Sequence, residues 1–133
     1  MSKLYYSDYT YVYFQESLSS DETVQAKHAF EGVNIRHYHA DNGRFADNAF
    51  LADIKGERQT ISYCGANAHF QNGRAEKRIR DLMDQARTQL IHARHRWPNA
   101  IEVNLWPNAM RYAMQIMNVT TKMTQQSTPI ELF

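Results

Sequence analysis

Two carboxylates, Asp41 and Glu76, each lie beside an Asn-Gly pair and have the chemistry of metal ligands. Asp41 ends a strand-like run and precedes Asn42-Gly43, whereas Glu76 follows the Asn-Gly pair at 72–73 and begins a helix-like run. A strand end and a helix start can meet in space although 34 residues separate the two acids. Carboxylate oxygens suit Mg²⁺ or Mn²⁺, so we expect both acids to bind one divalent cation. Turns and helix starts also favour Asp and Glu for structural reasons, so the spacing leaves that alternative open.

A second metal hypothesis uses the alternation of His37, His39 and Asp41 along the same strand-like run. Residues two apart in a strand share a face, and this spacing occurs at zinc sites of metallo-hydrolases. It resembles the His-x-His-x-Asp-His pattern of metallo-β-lactamase-type enzymes, but position 42 is Asn and the chain is short for that fold. Packed or half-exposed strand histidines are the structural alternative.

The composition indicates one globular domain of ordinary character. The chain has 133 residues, of which 43% are hydrophobic and 22% charged, and its net charge is +1. Overall charge therefore gives no argument for a polyanionic partner. Residues 74–96 nevertheless hold seven Arg and Lys residues against three acids, which points to phosphate contacts along one helix. A solvated helix face explains the same charges without nucleic acid.

The single cysteine, Cys64, excludes an internal disulfide and favours a reducing compartment. It lies in an apolar strand-like run, so we expect a buried and inert thiol. No apolar run approaches membrane-spanning length and no apolar leader begins the chain, so we expect a soluble intracellular protein without a membrane partner.

The local patterns predict a β-β-α-β-α-β-α-α order and hence an α/β fold with a mixed sheet covered by helices. Alternation and β-branched or aromatic content predict the strands, at residues 4–6, 9–14, 33–41 and 59–64. Capping residues and apolar periodicity predict the helices: one from the Ser19 cap to Gly32, one from the Asp47 cap to Gly56, one at 74–93, and a last one that starts at Pro98 and breaks or kinks at Pro107. A loop at 65–73, with glycine at both ends, precedes the long helix.

Four segments of the chain, taken in order, form a recognisable pattern. They are Tyr9-Thr10-Tyr11-Val12-Tyr13-Phe14, then His39-Ala40-Asp41-Asn42-Gly43, then Gln71-Asn72-Gly73-Arg74-Ala75-Glu76-Lys77-Arg78, and the late landmarks Trp106, Ala109, Ala113, Asn118 and Thr128-Pro129. Together these segments resemble the integrase catalytic core of copia-type retrotransposons. The resemblance covers essentially the whole chain.

The resemblance implies a ribonuclease H-like fold and an Asp-Asp-Glu triad. In that family the triad binds two Mg²⁺ or Mn²⁺ ions, which promote attack of a DNA 3′-hydroxyl or of water on a phosphodiester. By the same resemblance, Asp41 is the second catalytic Asp and Glu76 is the Glu. Residues of the loop and the following helix would contact DNA, namely Asn72, Gly73, Lys77, Arg78 and Arg80.

Two departures from the family pattern limit the expected activity. Neither Asp8 nor Asp21 lies at the position of the first catalytic Asp, and that acid's strand is missing as well. The chain also stops at Phe133 where family members continue. We therefore expect residues 1–133 to form one core-like domain that is incomplete at both ends, marginally stable and inactive alone.

The missing strand would leave its neighbouring strands with unpaired edges. Unpaired strand edges would close up, leave a gap or recruit a strand from another chain, as in a homo-oligomer. With DNA as partner, the nucleus is the expected location. The alternative is a non-catalytic transposon remnant that only binds nucleic acid or retains no function.

Overall fold

The computed structural model describes the whole chain except residues 1, 4–7, 18, 31–34, 41–42, 66–72, 122–125 and 133. Its elements follow the predicted order: β1 (Ser2–Lys3), β2 (Thr10–Tyr11), α1 (Ser20–His28), β3 (His37–Ala40), α2 (Asn48–Gly56), β4 (Thr60–Tyr63), α3 (Gly73–Arg96) and α4 (Trp106–Val119). They form two compact units, one of Met1–Val12 with Ala75–Phe133 and one of Tyr13–Arg74. None of the described helices combines the length and the apolar character that a bilayer crossing needs.

The first unit begins with an antiparallel pair, in which Ser2 of β1 faces Tyr11 of β2 and Lys3 faces Thr10. The predicted partner strand at 4–6 lies outside the described residues. The predicted strand at 9–14 is shorter than expected, because regular pairing covers only Thr10–Tyr11. Just beyond it, the backbone N–H of Val12 donates to the sulfur of Met114 (3.2 Å).

The side chain of Asn118 completes the backbone hydrogen bonding of Thr10. The Thr10 N–H donates to Asn118 Oδ1 (2.9 Å), and Asn118 Nδ2 donates to the Thr10 carbonyl (2.8 Å). Both residues are buried. One amide side chain therefore pairs with β2 as a neighbouring strand would, and it ties β2 to the end of α4.

Helices α3 and α4 supply the core of this unit. Leu82 and Ala86 of α3 pack with Ala109 and Ala113 of α4. Partly buried apolar side chains surround them: Val12, Leu90, Met110, Met114 and Met117. The apolar periodicity of residues 74–93 predicts a buried stripe along α3. Leu82 and Ala86 of that stripe are buried, but the prediction is wrong at Ile79, Met83 and Ile91, whose side chains are exposed.

The predicted boundaries of the last helix are wrong. The segment at 98–100 forms a turn, and α4 starts at Trp106 with Pro107 in its first turn. Backbone N–H groups in the first turn of a helix have no acceptor inside the helix, so proline, which lacks this N–H, is favoured there. Pro107 therefore begins the helix instead of breaking it.

The second unit contains two short helices that begin where their caps predict. Ser19 Oγ accepts from the Glu22 N–H (3.3 Å) at the start of α1, and Asp47 Oδ1 accepts from the Ala49 N–H (2.9 Å) at the start of α2. The Glu22 carboxylate accepts from the Ser17 N–H (2.9 Å), one turn further out. Gly32, the predicted end of α1, lies outside the described residues, and α1 is capped at Ala29.

Strands β3 and β4 form a parallel pair, with His39 opposite Ser62 and Ala40 opposite Tyr63. One face of the pair packs on α2, where Phe50 contacts the ring of Tyr38 edge to face at 6.1 Å. Burial, with smaller contributions from the charges of Glu57 and Asp53, raises the pKa of Tyr38 to about 12. Successive side chains of a strand point to opposite faces, so the alternate residues of both strands lie on the face opposite α2.

An ion-pair network joins α1 to α2. Lys27 Nζ lies 2.5 Å from Asp53 and 3.5 Å from Glu57, and His28 Nε2 lies 2.8 Å from the second Asp53 oxygen. The Lys27 side chain is only 4% exposed. Burial raises the pKa of Asp53, but the hydrogen bonds and charges of Lys27 and His28 outweigh burial, so the pKa of this carboxyl lies below its ordinary value.

Replacing Asn118 tests the amide pairing with Thr10. Asn118→Ala leaves two buried backbone groups without these partners, so we expect a loss of about 2–4 kcal/mol in the free energy of unfolding, measured by urea denaturation. Gln115→Ala, on an exposed position of the same helix, should change stability by less than about 0.5 kcal/mol. Equal effects of the two substitutions would contradict the role assigned to Asn118.

The ion-pair network predicts a pH-dependent contribution from Asp53. Since its folded pKa is lowered, the carboxylate stabilises the fold above its unfolded pKa of about 3.9, and this stabilisation is lost as the pH falls through the lower folded value. Asp53→Asn should therefore lower the urea midpoint at pH 7, and its difference from the unaltered chain should shrink below about pH 4. Glu57→Gln should have the smaller effect, because Glu57 is 48% exposed. A difference for Asp53→Asn that stays constant on acidification would contradict the network.

Candidate metal and nucleic-acid site

Glu76 lies in the first turn of α3, as its sequence position predicts, and its side chain is exposed. The N-terminal end of a helix carries partial positive charge, which favours a carboxylate there. Among the described residues, none forms a hydrogen bond or an ion pair with the Glu76 carboxylate. This carboxylate is therefore available to an oxygen-binding cation.

Asp41, the proposed partner of Glu76, follows directly after the last residue of β3 and lies outside the described residues. The same holds for Asn72, which precedes α3. The pairing of Asp41 with Glu76 and the DNA contact of Asn72 both stay predictions. Gly73 is the first residue of α3, and a Cβ added there would meet nothing within 4 Å, so packing does not require glycine at this position.

The basic residues after Glu76 differ in what they contact. Lys77 and Arg80 are exposed. Arg78 is buried at 9% exposure, and its guanidinium donates to the backbone carbonyl of Asp8 (3.3 Å). Because the Arg78 guanidinium is buried, Lys77 and Arg80 are the exposed positions available to a DNA backbone.

The other end of α3 has a different surface. Its last turns and the first turns of α4 border a groove of about 590 Å³ lined mostly by apolar atoms of Leu90, Ala93, Trp97, Leu105 and Tyr112. Trp97 is 58% exposed. The candidate phosphate contacts therefore belong to the N-terminal turns of the helix, beside Glu76.

The two histidines of the zinc hypothesis share one face of the β3–β4 pair, as their alternation predicts. Each ring has a nitrogen 2.9 Å from the hydroxyl of Ser62: Nε2 of His37 and Nδ1 of His39. A serine hydroxyl therefore lies between the two rings, and these nitrogens form hydrogen bonds with it. A zinc ligand set with Asp41 stays a prediction.

A group with metal-ligand chemistry that the sequence did not suggest occurs in the second unit. Ligand atoms of His28, Asp53 and Glu57 lie within 4.8 Å of one another. The buried ammonium of Lys27 contacts both carboxylates and supplies the positive charge that they need. We interpret the group as an ion-pair network. No local sequence pattern indicates this group, because its members come from two helices some 25 residues apart.

Comparisons with known proteins support the fold. The catalytic core domain of the HTLV-2 integrase, solved in complex with magnesium in a trimeric form, is similar with a TM-score of 0.71 and 19% sequence identity, over 96% of this chain and 78% of that chain. Its dimeric form is similar with a TM-score of 0.69 and 19% identity, over 95% and 77%. No protein-family model matches the chain, and no curated protein matches it. The chain therefore has the ribonuclease H-like fold of an integrase catalytic core.

Proposed function

We propose that this chain is an integrase-core domain of a copia-type retrotransposon that binds DNA and a divalent cation. The observation that carries the proposal is the start of α3, where the exposed Glu76 carboxylate lies beside the exposed cations of Lys77 and Arg80. The integrase-core fold and the resemblance of the Asp41 and Glu76 motifs support it. The similar HTLV-2 domain was solved with magnesium, in agreement with the proposed Mg²⁺ or Mn²⁺.

Asp41 and Glu76 are the proposed ligands, and their hard oxygen donors fit either cation. The bound cation would polarise a phosphodiester and stabilise charge on the attacking oxygen. Lys77 and Arg80 would neutralise phosphates that flank the reacting group. Asn72 and Gly73 would contact the DNA at the start of the helix. Arg78 keeps the Asp8 segment in place from the buried side of the same helix.

Residues 1–133 by themselves are proposed to bind DNA without completing strand transfer. The family chemistry uses three acids, and the resemblance locates two of them in this chain, at Asp41 and Glu76. The two similar HTLV-2 structures are trimeric and dimeric, which supports self-association of this chain as a further proposal. A domain of this kind acts on genomic DNA, so we propose a nuclear location.

The alternative function is a remnant that binds nucleic acid without a cation or has no retained activity. The burial of Arg78 is the one observation that favours it, because one of the basic residues in the motif serves the fold. The proposed function and this alternative differ in cation binding, which a titration with Mn²⁺ measures. A salt series of DNA binding separates a DNA-binding domain from a remnant with no retained activity.

Calorimetric titration with Mn²⁺ tests whether Asp41 and Glu76 bind the cation. We expect Asp41→Asn and Glu76→Gln each to weaken binding by about tenfold or more, because each removes one of two charged ligands. Asp84→Asn is the matched control, since it removes a similar charge from an exposed position on α3 and should leave the affinity unchanged. Equal affinities of all four proteins would exclude Asp41 and Glu76 as ligands.

A salt series of DNA binding tests Lys77 and Arg80. Each phosphate contact contributes about one to the slope of log affinity against log salt concentration, so Lys77→Ala and Arg80→Ala should each reduce the slope by about one. Lys55→Ala, which removes an exposed positive charge from α2, should leave the slope unchanged. A flat salt response of the unaltered chain would exclude phosphate binding by α3.

A further inference from the structure

The groove between the last turns of α3 and the first turns of α4 combines half-buried apolar walls with exposed aromatic side chains. Leu90 and Ala93 are half-buried, and Leu90 packs against the core of its unit. Trp97 continues the last turn of α3, since its N–H donates to the Ala93 carbonyl (2.8 Å), yet its side chain is 58% exposed. Tyr112, on the α4 wall, is 57% exposed. The apolar core of the unit therefore extends into a groove that is open to solvent.

The spacing of the apolar residues in the groove favours a helix as its occupant. Along the α3 wall they follow one another at steps of three and four residues, and along the α4 wall at steps of four and three. The six residues are Leu90, Ala93, Trp97, Leu105, Ala109 and Tyr112. Side chains at these steps form the ridges into which a second helix packs, and amphipathic helices bind in grooves of this kind. The volume of about 590 Å³ accommodates several apolar side chains.

The charges around the groove are almost all positive. Residues 85–112 hold four arginines and a single acid, Glu102, whose carboxylate accepts from the Asn104 side chain (2.9 Å). The described lining of the groove includes His92 and Arg96 but no carboxylate. Both side chains are exposed, and within the described part of the chain neither forms a hydrogen bond or an ion pair.

The start of α4 adds positive potential to the same groove. Backbone N–H groups at the N-terminal end of a helix carry partial positive charge, which an acid in the first turn or a capping side chain usually offsets. The first turn of α4 contains no acid, and its N-cap residue, Leu105, forms no side-chain hydrogen bond. A carboxylate that enters the groove would therefore be stabilised both by this helix end and by Arg96.

The charges and the apolar walls disfavour two other occupants. A second copy of this chain would bring its own α3, with seven Arg and Lys residues against three acids, to a groove that is already positive. The self-association proposed above would therefore use another surface. Nucleic acid would bring negative charge, but its phosphates gain nothing from apolar walls.

We propose that this groove binds an amphipathic helix of a partner protein, with acidic residues beside its apolar stripe. The apolar side chains of the partner helix pack against Leu90, Trp97 and Tyr112. Its carboxylates pair with Arg96 and with the N-terminal end of α4. The groove lies at the other end of α3 from Glu76, so this interaction does not depend on the proposed binding of a cation or of DNA.

Three fluorescent peptides test the proposal by anisotropy with the full chain. Each has about 20 residues, because shorter isolated helices are marginal in water. The first repeats leucine at three- and four-residue steps and carries glutamate on its other face, the second has lysine in place of every glutamate, and the third scrambles the first. The first peptide should bind about tenfold more tightly than either of the others, because it alone combines the apolar stripe with acidic charge.

Substitutions in the chain locate the bound peptide. Trp97→Ala should weaken binding of the glutamate peptide by about tenfold or more, as for a central tryptophan of an interface. Met83→Ala is the matched control, because Met83 is an equally exposed apolar residue (57%) of α3 outside the groove, and the affinity should stay within about twofold. Arg96→Glu should weaken the glutamate peptide and tighten the lysine peptide, each by about threefold or more. Unfolding of the variant cannot produce changes in opposite directions.

Four results would overturn the proposal. One is equal binding of the three peptides or no binding of the glutamate peptide, and another is an equal effect of Trp97→Ala and Met83→Ala. The third is a DNA oligonucleotide that displaces the glutamate peptide and itself binds more weakly to Trp97→Ala, which would assign the groove to nucleic acid. The fourth is an oligomer of the unaltered chain that Trp97→Ala converts to a monomer in sedimentation, which would assign the groove to a second copy.

Discussion

Backbone groups beside short strands must find hydrogen-bond partners, and in this chain side chains supply many of them. The described strands are two to four residues long. Asn118 pairs with both backbone groups of Thr10, and Arg78 donates to the carbonyl of Asp8. A buried backbone group without a partner would cost about 1–3 kcal/mol, so these side chains stabilise the fold where strand pairing ends.

The long helix α3 has one buried and one exposed surface. Arg78 and Leu82 face the interior of their unit, whereas Glu76, Lys77 and Arg80 are exposed. Three basic residues follow Glu76 in the sequence, and one of them, Arg78, is buried and stabilises the fold. The exposed acid and cations that remain have the chemistry of a site for a divalent ion and a phosphate, which is the basis of the proposed function.

Local signals in the sequence predicted the parts of the fold that local interactions determine. Ser19 and Asp47 cap the two short helices as expected, because a capping side chain needs only the next two or three residues. The order of the elements was also predictable from periodicity. Proline was less informative, since the same residue can begin a helix or break one, and Pro107 begins α4.

Contacts between distant residues were not predictable from local patterns. The Tyr-rich run looked like a long strand, but the length of a strand depends on its partners, and pairing covers only Thr10–Tyr11. The amide of Asn118 contacts a residue 108 positions away, and the Cys64–His39 contact depends on the register of two parallel strands. For the candidate site, the sequence identified Glu76, Lys77 and Arg80 at positions that are exposed, but it did not indicate that Arg78 is buried.

Paramagnetic broadening by Mn²⁺ in the NMR spectrum of the labelled chain tests the central claim most directly, because it locates a bound cation relative to both acids at once. The account predicts that the amide signals of residues 42–43 and of Lys77 broaden together at the lowest Mn²⁺ concentration. Broadening of only one of these segments, or first broadening near Asp53, would contradict a shared cation site of Asp41 and Glu76.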